Sequence, residues 1–387
     1  MKIAQICPYD MDRPGGVQAH IRDLGTALIG LGHEVVILAP QLGTADPVSP
    51  ATALSPEIHR LGRARRIGFG GTAYEISIAL GAEAQRLRAL VENGHFDVIH
   101  YHTMWTPLLP FQVFRHSKTA NIATFHDTPA PNWEGRLLAH AFRAMSRTLL
   151  PRLDGVITPS EAPQGHLVKT GPPITILPPC TNLARFANGT PARTSRYADR
   201  RLNILFLGRL EARKGAGLLL EAFSRLSGSG LNLRLLIAGS GEMEGQLRAF
   251  AAEQQLAHVE FLGGFSDEQA PQLYADCDIF CAPAPYGESF GIVLAEAMAS
   301  GKPVVAAANE GYRSLLTGEG AAFLTPPGDC AALADALATL ARDALLRARL
   351  GAWGREHALG FDARVLAPKF VALYEEGIRR FNARKAI

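Results

Sequence analysis

The chain has 387 residues, a mass of 41.6 kDa and 47% hydrophobic residues, enough for two domains that each bury a core. A formal net charge of +3 is too small to indicate a nucleic-acid-binding protein. Five cysteines without metal-site or redox spacing, no signal-peptide pattern and no apolar run of roughly 20 residues predict a cytoplasmic protein with reduced thiols.

The chain opens with a strand, a glycine turn, a helix and a second strand. Residues 2–7 and 34–39 are mostly apolar and are predicted to be strands, and residues 17–30 carry apolar side chains at helical spacing. Gly15 and Gly16 lie in the turn. The first loop of such a βαβ unit lies at the carboxyl edge of a parallel sheet, where ligands bind. The alternative for the glycine pair is a plain tight turn.

Residues 40–75 are rich in Pro, Gly and Ala and are interpreted as a loop, with a helix following from Tyr74 to Glu92. The loop contains a basic cluster from Arg60 to Arg66, and Ile67 and Phe69 come directly after it. Basic and apolar residues together suit an anionic membrane surface or an anionic acceptor. A solvated arginine-rich loop explains the pattern equally well.

Two further strands end in histidines. His100 and His102 lie on one side of the strand at 96–102, and His126 follows the strand at 122–125. We expect His102 to face the ligand-binding crevice as a hydrogen-bonding group that contacts the acceptor. Two histidines without a third ligand do not make a metal site, so no metal is predicted. A core histidine is the alternative for His126.

The middle of the chain continues with a helix within 131–153, a strand at 156–158, a helix starting at Ser160 and an apolar segment at 174–177. Residues 186–201 lack an apolar period and are predicted to be an interdomain linker.

After this segment the strand-loop-helix pattern begins again. Arg209 and Lys214 follow a buried strand at 202–208, Gly239 ends the next strand, and Ser266 follows a third. The Gly239–Gly241 loop approximates a dinucleotide fingerprint, although its third glycine is one place late. It leaves a nucleotide-dependent oxidoreductase or epimerase as an alternative function.

The most informative stretch is 286–301, between an apolar strand and a helix. Gly287 and Gly291 allow a ligand to approach the backbone, and the first turn of the helix favours a phosphate. Glu288 in the loop and Glu296 in the helix can accept from hydroxyls on either side of that phosphate. The pattern suits a nucleotide-sugar; the alternative is an ordinary Rossmann-type loop. The remaining residues, 329–358 and 361–381, are predicted to be helical.

The stretch from Glu288 to Glu296 resembles the E-x7-E signature of retaining glycosyltransferases of family 4. The resemblance implies an α/β GT-B fold, in which two Rossmann-like domains with parallel sheets face a central cleft and the C-terminal helix crosses back to the first domain. It implies an acceptor domain at 1–185 with about 368–387, a linker at 186–201 and a nucleotide-sugar domain at 202–367.

The resemblance also implies roles for individual residues. His126, Glu288, Arg209 and Lys214 would be catalytic, with the two cations gripping the leaving diphosphate. Donor-binding residues would be Gly15, Gly16, Arg209, Lys214, Gly239, Ser266, Glu288, Phe290, Gly291, Ile292, Val293 and Glu296. Tyr9 and Asp12, with Cys7-Pro8, resemble the acceptor loop of bacterial phosphatidylinositol mannosyltransferases. Pro-Cys-Thr-Asn at 179–182 departs from the family's Pro-Asn-Gly turn.

The implied reaction moves a hexosyl sugar from a UDP- or GDP-sugar to a lipid, a lipid-linked glycan or another hydroxyl acceptor, as in glycolipid or polysaccharide synthesis. No cofactor and no metal are expected. The expected partners are the nucleotide-sugar, the acceptor and an anionic inner membrane face touched through Arg60–Phe69, with no nucleic acid. A non-catalytic nucleotide-binding protein is a further alternative.

Overall fold

The computed structural model describes residues 1–13, 15–42, 48–53, 55–69, 72–105, 108–187 and 191–386, with the backbone alone over 66–69 and 72–74. The chain divides into two compact units. The first is Met1–Asn182 with Ala363–Ile387, and the second is Leu183–Asp362. In the described part of the chain, no helix is both long and apolar enough to span a bilayer.

Each unit is built on a largely parallel sheet. The described residues of the first unit form β1 Lys2–Ile6, β2 Glu34–Gln41, β3 Val48–Ser49, β4 Glu57–Phe69, β5 Thr72–Ile78, β6 Val98–His102, β7 Ala120–Thr124, β8 Gly155–Thr158 and β9 Ile174–Ile176. Those of the second form β10 Leu202–Leu207, β11 Leu233–Ala238, β12 Val259–Gly263, β13 Ile279–Ala282, β14 Val304–Ala307 and β15 Leu324–Thr325. The orders are β3-β4-β2-β1-β6-β7-β8-β9, with β5 beside β4, and β12-β11-β10-β13-β14-β15. Continuous apolar runs are typical of such strands because helices cover both faces of the sheet.

Helices cover the faces of the two sheets. They are α1 Gly16–Gly30, α2 Gly81–Asn93, α3 Leu109–His116, α4 Trp133–Leu149, α5 Ala184–Ala187, α6 Ala216–Leu226, α7 Glu244–Glu253, α8 Ala270–Ala275, α9 Ile292–Ala299, α10 Glu310–Leu315, α11 Cys330–Arg342, α12 Ala344–Ala358 and α13 Ala363–Lys385. Phe370 and Tyr374 of α13 are buried in one core of the first unit with Ile3, Val98 and Ile122. The C-terminal helix therefore returns to the first unit, as predicted.

The predicted linker at 186–201 is wrong in its described part. Tyr197 is buried in the core of the second unit. Arg193 donates to both oxygens of Asp278 at 2.9 and 2.7 Å, and Thr194 donates to Asp276 from its backbone and its hydroxyl. The segment therefore belongs to the second unit, although residues 188–190 lie outside the described residues. Because hydrogen bonds and an ion pair hold much of this segment in place, its sequence shows no regular spacing of apolar residues. The predicted boundaries at 185, 202 and 367 are replaced by 182/183 and 362/363.

The predicted loop at 40–75 is also wrong, and the helix predicted at Tyr74–Glu92 has the wrong start. β4 pairs in parallel with β2 and in antiparallel with β5, and the helix begins only at Gly81. In β4, Arg63 and Arg65 point to the same side because side chains alternate along a strand. The strand was not predicted, because the charged arginines on one of its faces interrupt the continuous apolar run that is typical of a buried strand.

Two helical predictions need smaller corrections. The segment after Ser160 is a short 3-10 helix at Ala162–His166 rather than an α-helix. The single helix predicted at 329–358 is two helices, α11 and α12, which meet at Asp343. The Asp343 side chain accepts from the backbone N–H of Leu346 and so caps the second one.

Candidate functional sites

In the second unit, the candidate donor residues lie in loops at the carboxyl edge of the sheet. β10 lies between β11 and β13, and all three strands run parallel. Arg209 and Lys214 follow β10, and Glu288 follows β13. Because neighbouring parallel strands end at the same edge, these loops meet.

The central contact is an ion pair between these two loops. Lys214 Nζ lies 2.5 Å from Glu288 Oε1, and Arg213 Nη1 lies 3.4 Å from the same oxygen. Arg213 also donates to the carbonyl oxygen of Gly287 at 3.3 Å and pairs with Glu211 at 3.1 Å. Glu288 is only 8% exposed. Arg213 was not predicted, and its place between two predicted cations was the only signal for it.

The charges of this cluster nearly balance. Arg209 pairs with Glu211 at 2.7 Å, so Arg209, Arg213 and Lys214 face Glu211 and Glu288. Three cations against two carboxylates leave one excess positive charge. Burial lowers the pKa of Lys214, and the charge of Glu288 partly offsets this effect. A bound anion would therefore stabilise the charged form of Lys214.

The amino-terminal end of α9 lies directly beyond this cluster in the chain. Gly291 caps it with a left-handed φ of 105°, and a Cβ there would lie 2.6 Å from the Tyr312 ring. The Leu294 N–H donates to the Gly291 carbonyl oxygen at 2.9 Å, whereas the Ile292 and Val293 amides have no residue four places earlier in the helix to donate to and can serve an anion. The Phe290 side chain is buried in the core, so only its backbone can contribute.

Glu296 lies further along α9 and is 7% exposed. It accepts a hydrogen bond from the Tyr274 hydroxyl at 2.9 Å and lies 3.6 Å from Arg185. Burial, and then the charge of Glu296, raises the pKa of Tyr274 well above its ordinary value, so Tyr274 remains a donor. Neither partner of Glu296 was predicted, because both depend on tertiary proximity.

The Gly239–Gly241 loop has a packing role in the second unit. A Cβ on Gly239 would lie 1.8 Å from the Gly208 carbonyl oxygen, and one on Gly241 would lie 2.5 Å from that of Leu210. These glycines let the loop after β11 pack on the loop after β10. The exposed Ser266 donates its N–H to the Gln269 side chain at 2.8 Å.

In the first unit, the predicted acceptor loop after β1 is held by the β4–β5 hairpin. Arg60 donates to both oxygens of Asp12 at 3.0 and 2.7 Å. Glu75 accepts from the Asp10 N–H at 3.0 Å and pairs with Arg13. Arg60 is itself buried, so it positions the acceptor loop and is not part of an exposed basic surface. Tyr9 is half-buried in the same loop.

The carboxyl edge of the first sheet carries a histidine cluster. His126 Nε2 lies 3.2 Å from His102 Nδ1, and His102 Nε2 lies 3.2 Å from Gln5 Oε1. His102 is fully buried beside His126, and its predicted contact with the acceptor stays a prediction. Burial lowers the pKa of both rings, which are therefore neutral at pH 7. His20 of α1 joins the cluster and was not predicted as a member.

The predicted glycine pair lies at the start of α1. Gly16 is the first residue of the helix, and Gly15 has an extended φ of 179°. This backbone conformation does not itself require glycine. The predicted roles of the pair, like those of the other donor and acceptor residues, stay predictions.

Comparisons with known proteins decide the family. The family model described as Glycosyltransferase Family 4 matches residues 14–185, and that described as glycosyl transferases group 1 matches residues 193–357. A phosphatidyl-myo-inositol mannosyltransferase of Mycobacterium leprae is 34% identical over 377 residues, which cover 97% of this chain and 96% of the relative. The chain belongs to the family 4 glycosyltransferases. A Propionibacterium freudenreichii protein of the same name is 32% identical, with 97% of this chain and 94% of that protein covered.

Solved structures show that this glycosyltransferase has the GT-B fold. A sucrose-phosphate synthase from Thermosynechococcus elongatus matches with a TM-score of 0.77 at 23% identity, covering 97% of this chain and 98% of its own. Anabaena HepE, solved in complex with UDP and glucose, matches with a TM-score of 0.74 at 19% identity, covering 97% of this chain and 99% of its own. The family transfers sugars, so the oxidoreductase or epimerase alternative and the non-catalytic alternative are both set aside.

Proposed function

We propose that this glycosyltransferase moves a hexosyl residue, with retention, from a nucleoside-diphosphate sugar to the inositol headgroup of a phosphatidylinositol-type lipid. The observation that supports the donor half of the proposal is one charged cluster next to the start of α9, in which Arg213 and Lys214 pair with Glu288 and Arg209 pairs with Glu211. The acceptor half rests on relatives named for phosphatidyl-myo-inositol, which this chain matches over nearly its whole length.

The cation cluster supports a metal-independent departure of the nucleoside diphosphate. Negative charge grows on the leaving diphosphate in the transition state, and fixed cations and helix amides aimed at that charge lower the barrier. The single excess positive charge of the cluster suits such an anion. We propose that Lys214 and Arg209 turn from their carboxylate partners to the phosphates, which leaves Glu288 to accept from hydroxyls of the sugar.

The buried Glu296 suits the ribose of the donor. A carboxylate that already accepts from Tyr274 has a second oxygen, near Arg185, for ribose hydroxyls. Binding the nucleoside at one carboxylate and the sugar at the other fixes the diphosphate over the start of α9. This is the orientation that transfer requires.

In the first unit, we propose that neutral His126 hydrogen-bonds a hydroxyl at the reaction centre. Tyr9 and Asp12 would line the acceptor headgroup. No carboxylate is assigned as a nucleophile, so the leaving phosphate would take the proton from the acceptor hydroxyl on the same face as the departing bond. Retention of configuration follows from this same-face attack.

A peripheral contact with the cytoplasmic face of an anionic membrane completes the proposal. Arg63 and Arg65 of β4 are exposed, in contrast to the paired and buried Arg60. The Arg66, Ile67 and Phe69 side chains, which were predicted to share this contact, lie outside the described residues. A basic face on β4, whose Arg60 bonds the predicted acceptor loop, would hold the enzyme where its lipid substrate lies.

The first experiment is calorimetric titration with UDP, GDP and NAD in chelator, and then with Mg²⁺. We expect metal-independent binding of UDP or GDP and none of NAD. Transfer is then assayed with the matching nucleotide-sugars and vesicles that contain phosphatidylinositol.

The matched variants are Glu288→Gln and Lys214→Ala. Each should lower kcat by at least about a hundredfold, as the loss of one oxyanion-type contact does. Glu221→Gln, on an exposed carboxylate that pairs with Arg225, is the control and should transfer normally. Near-normal transfer by either site variant would contradict the proposed donor site.

A further inference from the structure

We propose that His20, His102 and His126 form a binding site for one divalent transition-metal ion of the zinc class. Three rigid elements bring the rings together: α1 carries His20, β6 ends at His102, and His126 follows β7. One ligand nitrogen from each ring lies within 4.8 Å of the others. The ring centroids are 5.2, 5.5 and 5.6 Å apart, so the three imidazoles surround one point nearly evenly.

The outer hydrogen bonds fix which ring nitrogens carry protons. His20 Nδ1 lies 3.4 Å from the Cys180 carbonyl oxygen, which can only accept, so this nitrogen carries the hydrogen. His102 Nε2 faces the Gln5 carbonyl oxygen in the same way. His20 Nε2 and His102 Nδ1 are therefore both bare lone pairs. Donation from one ring nitrogen to a carbonyl is the usual support for a metal-bound histidine.

In the structure, hydrogen bonds among the described residues satisfy the lone pair of His102 Nδ1 but not that of His20 Nε2. His126 Nε2 serves as the donor to His102 Nδ1 at 3.2 Å. No group of the described residues makes a hydrogen bond to His20 Nε2, although His20 is only 1% exposed. A buried acceptor without a donor is costly. With the hydrogen of His126 on Nδ1 instead, one cation between the rings would satisfy all three nitrogens.

The distances suit a small ion. With metal–nitrogen bonds of about 2.0–2.1 Å and tetrahedral angles, two ligand nitrogens lie about 3.3 Å apart. The His102 and His126 nitrogens already have a separation of 3.2 Å. Because all three nitrogens lie within 4.8 Å, a side-chain shift of about 1–2 Å by His20 closes the triangle.

The ligand chemistry selects the class of ion. The ligand set is three imidazole nitrogens. Neutral imidazole suits Zn²⁺, Co²⁺ and Ni²⁺, whereas Mg²⁺ and Ca²⁺ prefer oxygen. Three protein ligands leave a fourth position open to water. The site does not depend on the proposed function, but an ion bound to His126 would inhibit transfer.

The test is a titration of the chelator-treated full chain with Co²⁺, followed by its visible absorption. We expect the bands of tetrahedral Co²⁺ at one equivalent, displacement by Zn²⁺ and no competition from excess Mg²⁺. His20→Gln and His126→Gln should each weaken Co²⁺ binding by at least about a hundredfold, more than the loss of an outer partner does. Two variants are used in case one fails to fold, as judged by circular dichroism.

The matched control is His33→Gln. His33 Nδ1 lies 3.1 Å from the amino group of Met1, a second pair that can bind Co²⁺, and this control should keep full affinity for the cluster. Absence of tetrahedral bands in the wild type, or equal affinity in His20→Gln, overturns the proposal. Loss of the bands in His33→Gln alone assigns the ion to the amino terminus and overturns it as well. Nucleotide binding is measured separately, so failure of the proposed function gives a different result.

Discussion

Single glycines shape the loop that carries Glu288. A Cβ on Gly311 would lie 2.4 Å from the Glu288 carbonyl oxygen, which is backbone and cannot rotate away. Gly311 is the second residue of α10, and it therefore sets how closely α10 approaches the loop after β13. Asn309 fixes the same approach, because its side chain donates to the Ala284 carbonyl oxygen at 2.8 Å and accepts from the Tyr312 N–H at 2.9 Å.

We predict that Gly311→Ala pushes the Glu288 loop out of place. The clash should lower the free energy of unfolding by about 1–3 kcal/mol, as overpacking does, and should also reduce kcat. Gly245→Ala in α7 is the control, because nothing lies within 4 Å of a Cβ there. Alanine in an open helical position should instead stabilise by up to about 1 kcal/mol. Urea unfolding of both variants measures the difference, and equal stability would show that the loop yields to the methyl group.

At the scale of single residues, the sequence predicted some members of the candidate site and missed others. Glu288 and Glu296 were singled out because a strand, a glycine loop and a helix start follow one another in the chain, whereas Lys214 was singled out by the resemblance to the family. Arg213 and Gly311 were missed because their importance depends on a neighbour about 75 or 23 residues away in the chain. His20 was missed as a cluster member because it lies on α1 and its partners lie at the ends of two strands, β6 and β7.

At the scale of elements, buried strands were predictable and the hairpin was not. The strands of the second sheet read as apolar runs because helices cover both faces. β4 is different, since it pairs in parallel with β2 on one side and in antiparallel with β5 on the other. One of its faces carries Arg60, which turns inward to Asp12, while Arg63 and Arg65 remain exposed. Which of these arginines is buried and which are exposed depends on how β4 pairs with β2 and β5. The sequence alone does not show this pairing.

We predict that the exposed face of β4 carries the contact with anionic membranes. Each arginine near such a surface contributes about 1 kcal/mol, so Arg63→Gln/Arg65→Gln should weaken vesicle binding by roughly 10- to 30-fold. Sedimentation with vesicles that contain phosphatidylserine measures this at low salt.

The matched control for that prediction is Arg225→Gln/Arg248→Gln. It makes the same change in net charge on two helices of the second unit, where both side chains are about half exposed. If this control weakens binding equally, the attraction follows net charge and β4 has no special role. Neutral phosphatidylcholine vesicles should bind neither the wild type nor either variant.

At the scale of the whole molecule, the chain leaves the first unit at Asn182 and returns to it at Ala363. The returning helix α13 completes the first core. Tyr374 donates to or accepts from His100 Nδ1 at 2.8 Å, and Phe370 and Tyr374 are both fully buried. The folding of the first unit therefore needs residues that follow the second unit in the chain, whereas the second unit is continuous in sequence.

Removal of residues 363–387 should therefore unfold the first unit and spare the second. Loss of one buried aromatic side chain costs about 3–5 kcal/mol, and this truncation removes two and takes the Tyr374 hydroxyl away from His100 Nδ1. The free cysteines report on each unit separately, because Cys7 and Cys180 lie in the first and Cys277 and Cys281 in the second, all of them buried. Burial raises the pKa of Cys7 and of Cys277 to about 12, so labelling at pH 8 requires opening of the structure.

Mass spectrometry after a short pulse of thiol reagent should find Cys7 and Cys180 labelled in the truncated chain and Cys277 and Cys281 protected. The intact chain should protect all four, and Phe370→Ala should give an intermediate rate at Cys7. Protection of Cys7 in the truncated chain would mean that the first sheet is stable without α13. Equal labelling of all four would mean that the two units unfold together, and the second unit would then depend on the first for its stability.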